Sequence, residues 1–176
     1  MPTILSHPAV PLAIGLGLGQ SVVSRRLLIA GVVASIFPDL DVIGLHMGVH
    51  YPSVLGHRGM THSLLFALAM GLLAALRCRS LETTRRTAFV FIVASTASHG
   101  LLDMMTNGGS GIALWWPLSS ERFSLPWRVI EASPLTLGPF LHSAGVVFQS
   151  ELLWVWLPST VVCAALYWSQ MRSRQG

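Results

Sequence analysis

The sequence predicts an all-α fold, a polytopic membrane bundle of about five transmembrane helices, from two observations: its composition and its apolar segments. Hydrophobic residues make up 52% of the 176 residues and charged residues only 10%, and the mean hydropathy is +0.63. Because a soluble domain carries about 25% charged residues, we expect this chain to lie in a membrane. The many apolar residues also exclude intrinsic disorder. We expect residues 1–176 to form a single integral membrane domain.

Five apolar segments follow one another along the chain. A helix needs about 20 residues to cross the hydrocarbon core of a bilayer. The second, fourth and fifth segments reach that length, the third reaches it if it starts near Met60, and the first is short and rich in glycine. The five segments cover residues 8–24, 27–45, 64–76, 87–105 and 152–171.

The basic residues predict the topology, because all of them are arginines and most lie in short clusters between the apolar segments. With five spans, one side of the membrane receives 8 of the 11 arginines, and the positive-inside tendency makes that side cytoplasmic. The N-terminus and the loops 41–60 and 106–150 then face outward. This topology accounts for the net charge of +4, so no nucleic-acid partner is predicted. The clustered arginines are Arg25, Arg26, Arg77, Arg79, Arg85, Arg86, Arg172 and Arg174.

The connection 106–150 is long for a compact domain, and long structured loops are often functional. It is interrupted by prolines, among them Pro117 and Pro126, and by Gly108 and Gly109. Its tryptophans, in "IALWWPL" and "SLPWRVI", are typical of membrane interfaces. We expect this loop to lie against the outer leaflet and to cap a site, with space for a short amphipathic or re-entrant helix.

Seven ionisable residues lie within or beside the predicted spans. Counted from the cytoplasmic end of each span at 1.5 Å per residue, six of them lie about 18–26 Å up. Helices of alternating direction therefore place polar groups in one layer, towards the outer face. Ionisable residues inside a membrane are costly and usually functional. The seven are His7, Asp39, Asp41, His57, His62, His99 and Asp103.

Local spacing indicates metal ligands. In "HGLLD", His99 and Asp103 are four residues apart and hence on one face of a helix. In "PDLD", Asp39 and Asp41 can reach one metal only if the helix ends or loosens there. Pro38 favours such a break, because a proline disfavours helical geometry at the residue before it.

The turn in "GHRGMTH" contains two glycines and can bring His57 and His62 together. Mixed His and carboxylate ligation suits zinc, manganese or iron better than calcium. We expect a divalent metal site formed by the seven ionisable residues, with zinc as the first choice, manganese or iron as alternatives, and a dinuclear centre as one form. Arg58, Thr61 and Ser63 are candidates to contact an anionic substrate; a helix cap at Thr61 and a headgroup anchor at Arg58 are the structural alternatives.

The strings "FPDLD", "GHRGMTHSLL", "SHGLLDMMTNGG" and "WWPLSSERFSLP", in that order, resemble the YdjM-like family of bacterial inner-membrane proteins. That family is described as membrane-bound metal-dependent hydrolases. The resemblance implies a multi-helix inner-membrane protein with a His/Asp metal site. His7 occupies the place of an N-terminal family histidine, although its context "LSHPAV" departs from the usual glycine-histidine start. The family pattern falls on Asp39, Asp41, His57, Arg58, Thr61, His62, Ser63, His99, Asp103 and Thr106.

The leading hypothesis is a hydrolase that cleaves a phosphoester of a lipid or membrane-associated substrate with metal-activated water, at the outer face of the inner membrane. Asp39, Asp41 and Asp103 are candidates to bridge two ions or, where metal-free, to act as the general base. Arg58 and Arg122 are candidates to bind phosphate, because a guanidinium engages it bidentately. Thr106 joins the substrate-binding candidates through the family pattern. Membrane lipids are the expected partners.

Two hypotheses from other classes stay open. A metal or proton transporter also uses intramembrane His and Asp residues, although such proteins often show internal repeats, and none is evident here. A structural membrane protein would use the metal only to staple its helices, with a closed ligand sphere. Amide hydrolysis is less favoured because the chain lacks H-E-x-x-H, and a serine nucleophile at Ser63 is disfavoured because the adjacent His62 points away from it on a helix.

Overall fold

The computed structural model describes residues 1–134 and 136–173 of the chain. Within these ranges the regular secondary structure is helical, with two isolated β-bridges and no β-strand, which confirms the predicted all-α class. Arg174, a member of the last basic cluster, lies outside the described residues. The helices are α1 (Ala9–Leu18), α2 (Arg25–Ile36), α3 (Val42–His46), α4 (Leu64–Leu76), α5 (Arg85–Met104), α6 (Leu137–Glu151) and α7 (Leu157–Ser173).

Three helical rods are long and apolar enough to cross a membrane: Arg25–His46, Arg85–Met104 and Leu137–Ser173. Helices α1 and α4 are apolar but shorter, with 10 and 13 residues. Hydroxyl side chains define where three helices begin. Ser24, Ser63 and Thr84 accept hydrogen bonds from backbone N–H groups in the first turns of α2, α4 and α5, which satisfies donors that would otherwise lack a partner.

The first rod shows what Pro38 does to a helix. The sequence predicted that the helix ends or loosens at this point, and the α-helix does end at Ile36. The chain then continues through a 3₁₀ segment, Phe37–Asp41, into α3. Residues two apart in a 3₁₀ helix differ by about two thirds of a turn, so Asp39 and Asp41 leave the rod in different directions.

The last rod begins earlier than the apolar pattern indicates. Helix α6 starts at Leu137 and continues through a π-helical segment, Leu152–Trp156, into α7. The predicted fifth segment started at residue 152, because Pro139, Gly145 and Glu151 interrupt the apolar run before it. The irregular connection therefore ends before Leu137 and does not extend to residue 150; its described residues are 105–134 and 136. It folds over the bundle, where Ala113 N donates to Arg58 O at 3.0 Å and Leu64 N donates to Leu114 O at 3.0 Å.

Helix α5 lies at the centre of the bundle, packed against both α2 and α4. Small residues allow these contacts: Gly31 of α2 meets the ring of Phe91, and Gly71 of α4 meets Val93. The α2–α5 core consists of Val23, Leu27, Ala34, Ala88, Phe91 and Ile92. By contrast, α7 buries none of its residues between Leu157 and Ser173, and it presents apolar side chains such as Val161 and Trp168 outward.

The bundle has a basic end and a site end. At the basic end, Arg26 pairs with Glu82 at 3.4 Å and donates to Ser80 O at 3.2 Å, so the first two arginine clusters lie together. The two rods that begin with α2 and α5 start at this end and run towards the site end. Asp39 and His99 each lie 14 positions beyond the first residue of α2 or α5, about 21 Å along the helix axis.

Candidate metal centre

Four side chains from three parts of the chain meet at the site end, and we call them the four-ligand group. Helix α5 supplies His99 and Asp103 from one face, and the 3₁₀ segment after α2 supplies Asp39. His62 ends the short 3₁₀ turn Met60–His62, directly before α4. Each of the four offers one ligand atom within 4.8 Å of the others. All four residues are buried, with at most 6% of their surface exposed.

The distances between these ligand atoms are those of a small coordination shell. His99 Nε2 lies 3.0 Å from His62 Nε2 and 3.4 Å from Asp39 Oδ1. Asp103 Oδ2 lies 3.3 Å from His62 Nε2 and 3.9 Å from His99 Nε2, and the His62–Asp39 distance is 4.0 Å. Ligand atoms about 2.0–2.1 Å from a tetrahedral ion lie about 3.3 Å apart, so the group fits a first-row divalent ion.

The hydrogen bonds of the two histidines indicate which nitrogen atoms face the centre. His99 Nδ1 lies 2.8 Å from Ser35 O, which can only accept, so that nitrogen carries the proton. His62 Nδ1 lies 3.0 Å from Thr61 Oγ1 and 3.3 Å from Asp41 Oδ2; since the Thr61 hydroxyl donates to Asp41, Nδ1 is the donor on that side. In these tautomers of the neutral rings both Nε2 atoms carry lone pairs, and at 3.0 Å they repel each other unless a proton or a metal ion lies between them. Such outer hydrogen bonds typically orient metal-ligating histidines.

The acidic members show the same need for a cation. Both carboxylate oxygens of Asp39 are buried and have no hydrogen-bond partner among the described residues, whereas Asp103 is paired with the guanidinium of Arg58. Buried charges are normally paired or coordinate a metal. The residues present therefore fit a divalent ion by donor type, by spacing and by the unpartnered oxygens of Asp39.

The formal charges also match one divalent ion. The side chains of Asp39, Asp41 and Asp103 are at most 4% exposed, and Arg58 at 1% is the compensating cation. With neutral histidines, the three carboxylates exceed the single guanidinium by two negative charges. An uncompensated charge in a low-dielectric interior costs roughly several kcal/mol. One divalent ion would neutralise the two excess negative charges.

His7 lies directly beside the four-ligand group but makes different contacts. Its ring stacks on His99, with centroids 3.7 Å apart, and its Nε2 atom lies 3.5 Å from Asp39 Oδ2. His7 is fully buried, and neither of its ring nitrogens has a hydrogen-bond partner among the described residues. Asp39 therefore faces the four-ligand group with one oxygen and His7 with the other. The role of His7 as a ligand stays a prediction.

Asp41 occupies the opposite side of His62. It accepts from His57 Nδ1 at 2.6 Å, from Thr61 Oγ1 at 2.7 Å and from Arg58 N at 3.1 Å, besides facing His62. Asp41, His57 and His62 form a second group that could hold a metal ion. These contacts orient both histidines, and the role of Asp41 as a metal ligand stays a prediction.

Arg58 is buried and held in one place. Its Nε and Nη2 atoms lie 3.1 and 3.2 Å from the two oxygens of Asp103, so the ion pair is bidentate. Nη2 also donates to Thr106 Oγ1 at 2.9 Å, and Nη1 donates to Gly108 O at 2.9 Å. The backbone of Arg58 has a positive φ of 63°, which a non-glycine residue adopts at a cost. The turn therefore holds this guanidinium against the ligand Asp103.

Two other predicted substrate contacts lie outside the centre. Ser63 caps α4, accepting from Phe66 N and donating to Met60 O. Arg122 donates to the backbone oxygens of Tyr51, His57 and Gly111, so it fastens the loop 105–136 to the loop before α4. Their substrate-binding roles stay predictions.

Glu151 is a residue of this region that the sequence reasoning missed. It is 2% exposed and accepts from Thr3 N, from Thr3 Oγ1 at 2.7 Å and from Ser6 Oγ at 2.7 Å. These bonds hold the turn that carries His7. The available signal was an acidic residue directly before the apolar run that starts at Leu152.

A cavity of about 260 Å³ opens beside the centre, and we call it the polar cavity. His57 and Arg58 line its inner wall, and Tyr51, Gly109 and Met1 contribute to the rest. Burial lowers the pKa of the Met1 amino group to about 6. Among the side chains that line the cavity, Arg58 carries the fixed positive charge.

Comparisons with known proteins identify a family for this chain. The model of the family described as YdjM inner membrane protein matches residues 1–176. Inner membrane protein YbcI of Escherichia coli (strain K12) is 45% identical over 170 residues, which cover 96% of this chain and 98% of YbcI. No solved structure matches the chain. The resemblance inferred from the four motifs is thus confirmed: the chain belongs to the YdjM inner membrane protein family.

Proposed function

We propose that this chain is a metal-dependent hydrolase of the bacterial inner membrane that cleaves a phosphoester of a lipid or another membrane-associated substrate. One observation supports this most: a buried four-ligand group adjoins an Asp–His pair whose histidine lines a cavity. The first part fits a metal ion, and the second provides a proton carrier within reach of a ligand in the cavity. Reactive sites typically combine these parts.

A divalent ion in the four-ligand group, with zinc as the first choice and manganese or iron as alternatives, would supply a water of lowered pKa and a Lewis acid for a phosphoryl oxygen. The protein's own part is to hold Asp39, His62, His99 and Asp103 in place. Ser35 and Asp41 set the tautomers of the two histidines through their Nδ1 atoms.

His57 is the proposed general acid–base. Its Nδ1 atom donates to Asp41 at 2.6 Å, so Nε2 is the nitrogen that can take up or deliver a proton. Because the ring lines the polar cavity, a proton can pass to or from a ligand there. Asp41 orients this ring and stabilises its protonated form, as a carboxylate does behind a catalytic histidine.

Arg58 supplies positive charge to the cavity. The Nε and Nη2 atoms of Arg58 pair with Asp103. Its Nη1 atom lies beside Gly109, which lines the polar cavity. A phosphate in the cavity would meet Nη1 at its edge. Thr61 and Thr106 then act indirectly, since their hydroxyls bind Asp41 and Arg58.

We propose one ion for this centre, because one divalent cation neutralises the buried charges. The dinuclear form would place a second ion near His7 and the outer oxygen of Asp39, or between Asp41 and His57. Metal stoichiometry distinguishes the two: about one ion per chain supports the mononuclear form, and a second ion lost in His7→Ala alone supports the dinuclear form.

We infer five membrane crossings, with the basic end cytoplasmic by the positive-inside tendency and the site end toward the periplasm. Helices α1 and α4 are short, but the segments before them are buried at the site by neighbouring residues, with Ser6, His7 and His57 at most 2% exposed. Irregular backbone at membrane depth is tolerated when protein covers it. A polar layer confined to one end also disfavours transport, whose sites typically lie near the bilayer midplane.

The experiment is elemental analysis of the detergent-purified protein together with phosphodiester and phospholipid hydrolysis. Wild type should contain near-stoichiometric transition metal and turn over substrate. His99→Ala should lose both, Asp103→Asn should repeat this with little change in shape, and His142→Ala should lose neither, since His142 is exposed on α6. His57→Gln should keep the metal and lose about 10²–10⁴-fold in rate. A folded wild type that binds no metal after reconstitution would refute the proposal.

A structural metal is the second candidate, because the four-ligand group is complete and buried. A structural site has a closed shell of four protein ligands, whereas a catalytic site keeps a position for water or substrate. Cobalt substitution separates the two candidates. A visible spectrum that changes on addition of orthophosphate indicates an open position, and a tetrahedral spectrum unaffected by phosphate supports the structural role.

A further inference from the structure

An apolar cavity adjoins the polar cavity on the side of the N-terminal segment and α6, and we call it the apolar groove. Its volume is about 470 Å³, which is within the usual range of small-molecule sites, about 300–1,000 Å³. Its walls are apolar side chains from two elements that are distant in sequence. They include Ile4, Leu5, Leu137, Phe140 and Phe148.

The apolar groove and the polar cavity share a wall. Met1, Ser133 and Pro134 line both of them, and Ser133 N donates to Met1 O at 2.9 Å to hold that wall together. A molecule with one apolar and one polar part would therefore place its apolar part near α6 and its polar part near Arg58. No step of the proposed hydrolysis uses the groove.

The polar side favours an anionic head. Arg58 is the fixed charge of the polar cavity, and a Cβ at Gly109 would come within 2.5 Å of its Nη1 atom and within 3.1 Å of Tyr51 Oη. The absence of a side chain at Gly109 thus leaves guanidinium and phenol groups facing the cavity. Guanidinium binds phosphate with favourable geometry and charge.

The apolar side favours a hydrocarbon chain. Ile4, Leu5 and Leu137 are 49%, 62% and 72% exposed, so the groove offers apolar surface that a hydrocarbon chain can cover. Phe140 and Phe148 meet edge to face with centroids 5.9 Å apart and close one side of the groove. Because Leu137 begins a rod suited to a membrane span, the groove lies where a lipid tail can enter from the bilayer.

We propose that the apolar groove binds one acyl chain of a phospholipid whose phosphate occupies the polar cavity. The inference names a phosphate-headed lipid as the substrate class, and in this respect it rests on the proposed function. The binding itself requires only the two adjoining cavities. Ser133 and Pro134 then lie at the boundary between head and tail.

The test is photo-crosslinking of the full-length protein in lipid nanodiscs with a lysophospholipid that carries a diazirine near the end of its acyl chain. Peptides from residues 1–5 and 137–148 should be labelled to a greater extent than peptides from the lipid-facing surfaces of α4 and α7. A probe with the same chain but an uncharged glycerol head should label them less. Uniform labelling of all lipid-facing helices would overturn the proposal. Labelling confined to the separate groove near Val10 and Trp154 would also overturn it.

A pair of tryptophan variants controls the experiment. Thr136 lines the groove and makes no side-chain cap bond to α6, so Thr136→Trp should fill the groove without removing a structural contact. Leu141 is exposed on α6 and does not line the groove, so Leu141→Trp should leave labelling unchanged. Equal labelling in Thr136→Trp and wild type would contradict the proposal.

Labelling and turnover separate this inference from the proposed function. Specific labelling without hydrolysis by the metal-loaded protein would support the lipid site and refute the hydrolase. Hydrolysis of a water-soluble phosphodiester without specific labelling would support the hydrolase and refute the lipid site.

Discussion

The contacts of Asp41 indicate the role of this side chain. Its two oxygens accept from His57, Thr61 and the Arg58 backbone, and one of them faces His62 Nδ1. The sequence placed Asp41 among the metal ligands because it is two residues from Asp39. The 3₁₀ geometry turns the two carboxylates apart, so Asp39 reaches the four-ligand group and Asp41 reaches the histidines from behind.

The residue-scale prediction concerns Asp41→Asn. The amide keeps the size of the side chain but loses one acceptor, so His57 and His62 lose part of their orientation. Metal affinity should fall about 10–100-fold, as is typical when an outer partner of a ligating histidine is removed. Competition with a chelator of known affinity measures it. Glu121→Gln is the control because Glu121 is exposed and belongs to neither group of candidate ligands, and equal affinity in both variants would contradict the role assigned to Asp41.

At the scale of elements, α5 organises the bundle because it carries two ligands and contacts both α2 and α4. The sequence predicted a helix over 87–105, and the structure has Arg85–Met104, because an apolar run with a hydroxyl cap defines a helix locally. Helix α6 lies in the segment predicted as a long loop with a short amphipathic or re-entrant helix. Its continuity with the last rod was not predicted, because prolines and Glu151 interrupt the apolar pattern. Its stability depends on contacts such as those of Glu151 with Thr3 and Ser6, about 145 positions away.

The element-scale prediction concerns Gly31→Ala. A Cβ at this position meets the ring of Phe91 and lies 3.0 Å from Ser95 Oγ, so α2 and α5 must separate or repack. We expect a loss of about 1–3 kcal/mol in the free energy of unfolding, as for other overpacked cores. Unfolding of the detergent-solubilised protein in SDS measures the loss.

Gly145→Ala is the matched control, since nothing lies within 4 Å of a Cβ there. Alanine is the better helix former by about 1 kcal/mol, so this variant should match or exceed the stability of wild type. Similar losses in both variants would show that the close α2–α5 contact is not what Gly31 provides.

At the scale of the whole molecule, the clustered arginines and the candidate metal centre lie at opposite ends of the bundle. The arginines near α2 and the α4–α5 turn gather at the basic end, and the buried His/Asp cluster lies at the site end. In the proposed topology, the two ends lie on different sides of the inner membrane.

The whole-molecule prediction is an accessibility pattern for two single cysteines, made after both natural cysteines, Cys78 and Cys163, are replaced by serine. Ser110→Cys is exposed at the site end and should react with a membrane-impermeant maleimide in intact spheroplasts. Ser80→Cys is exposed at the basic end and should react only after lysis. The reverse pattern would invert the topology, and labelling of both in intact cells would contradict an odd number of crossings between them.

The sequence by itself determined that this chain enters a membrane, that it is helical, and that a few His and Asp residues lie at one depth. These properties depend on composition and on local periodicity, which the chain carries without reference to its fold. Only the tertiary structure decided that His62 and His99 face each other, that Arg58 pairs with Asp103, and that Glu151 supports the turn of His7. Their partners lie 37 to 145 positions apart, so they meet only through the packing of whole elements. No local pattern encodes such contacts.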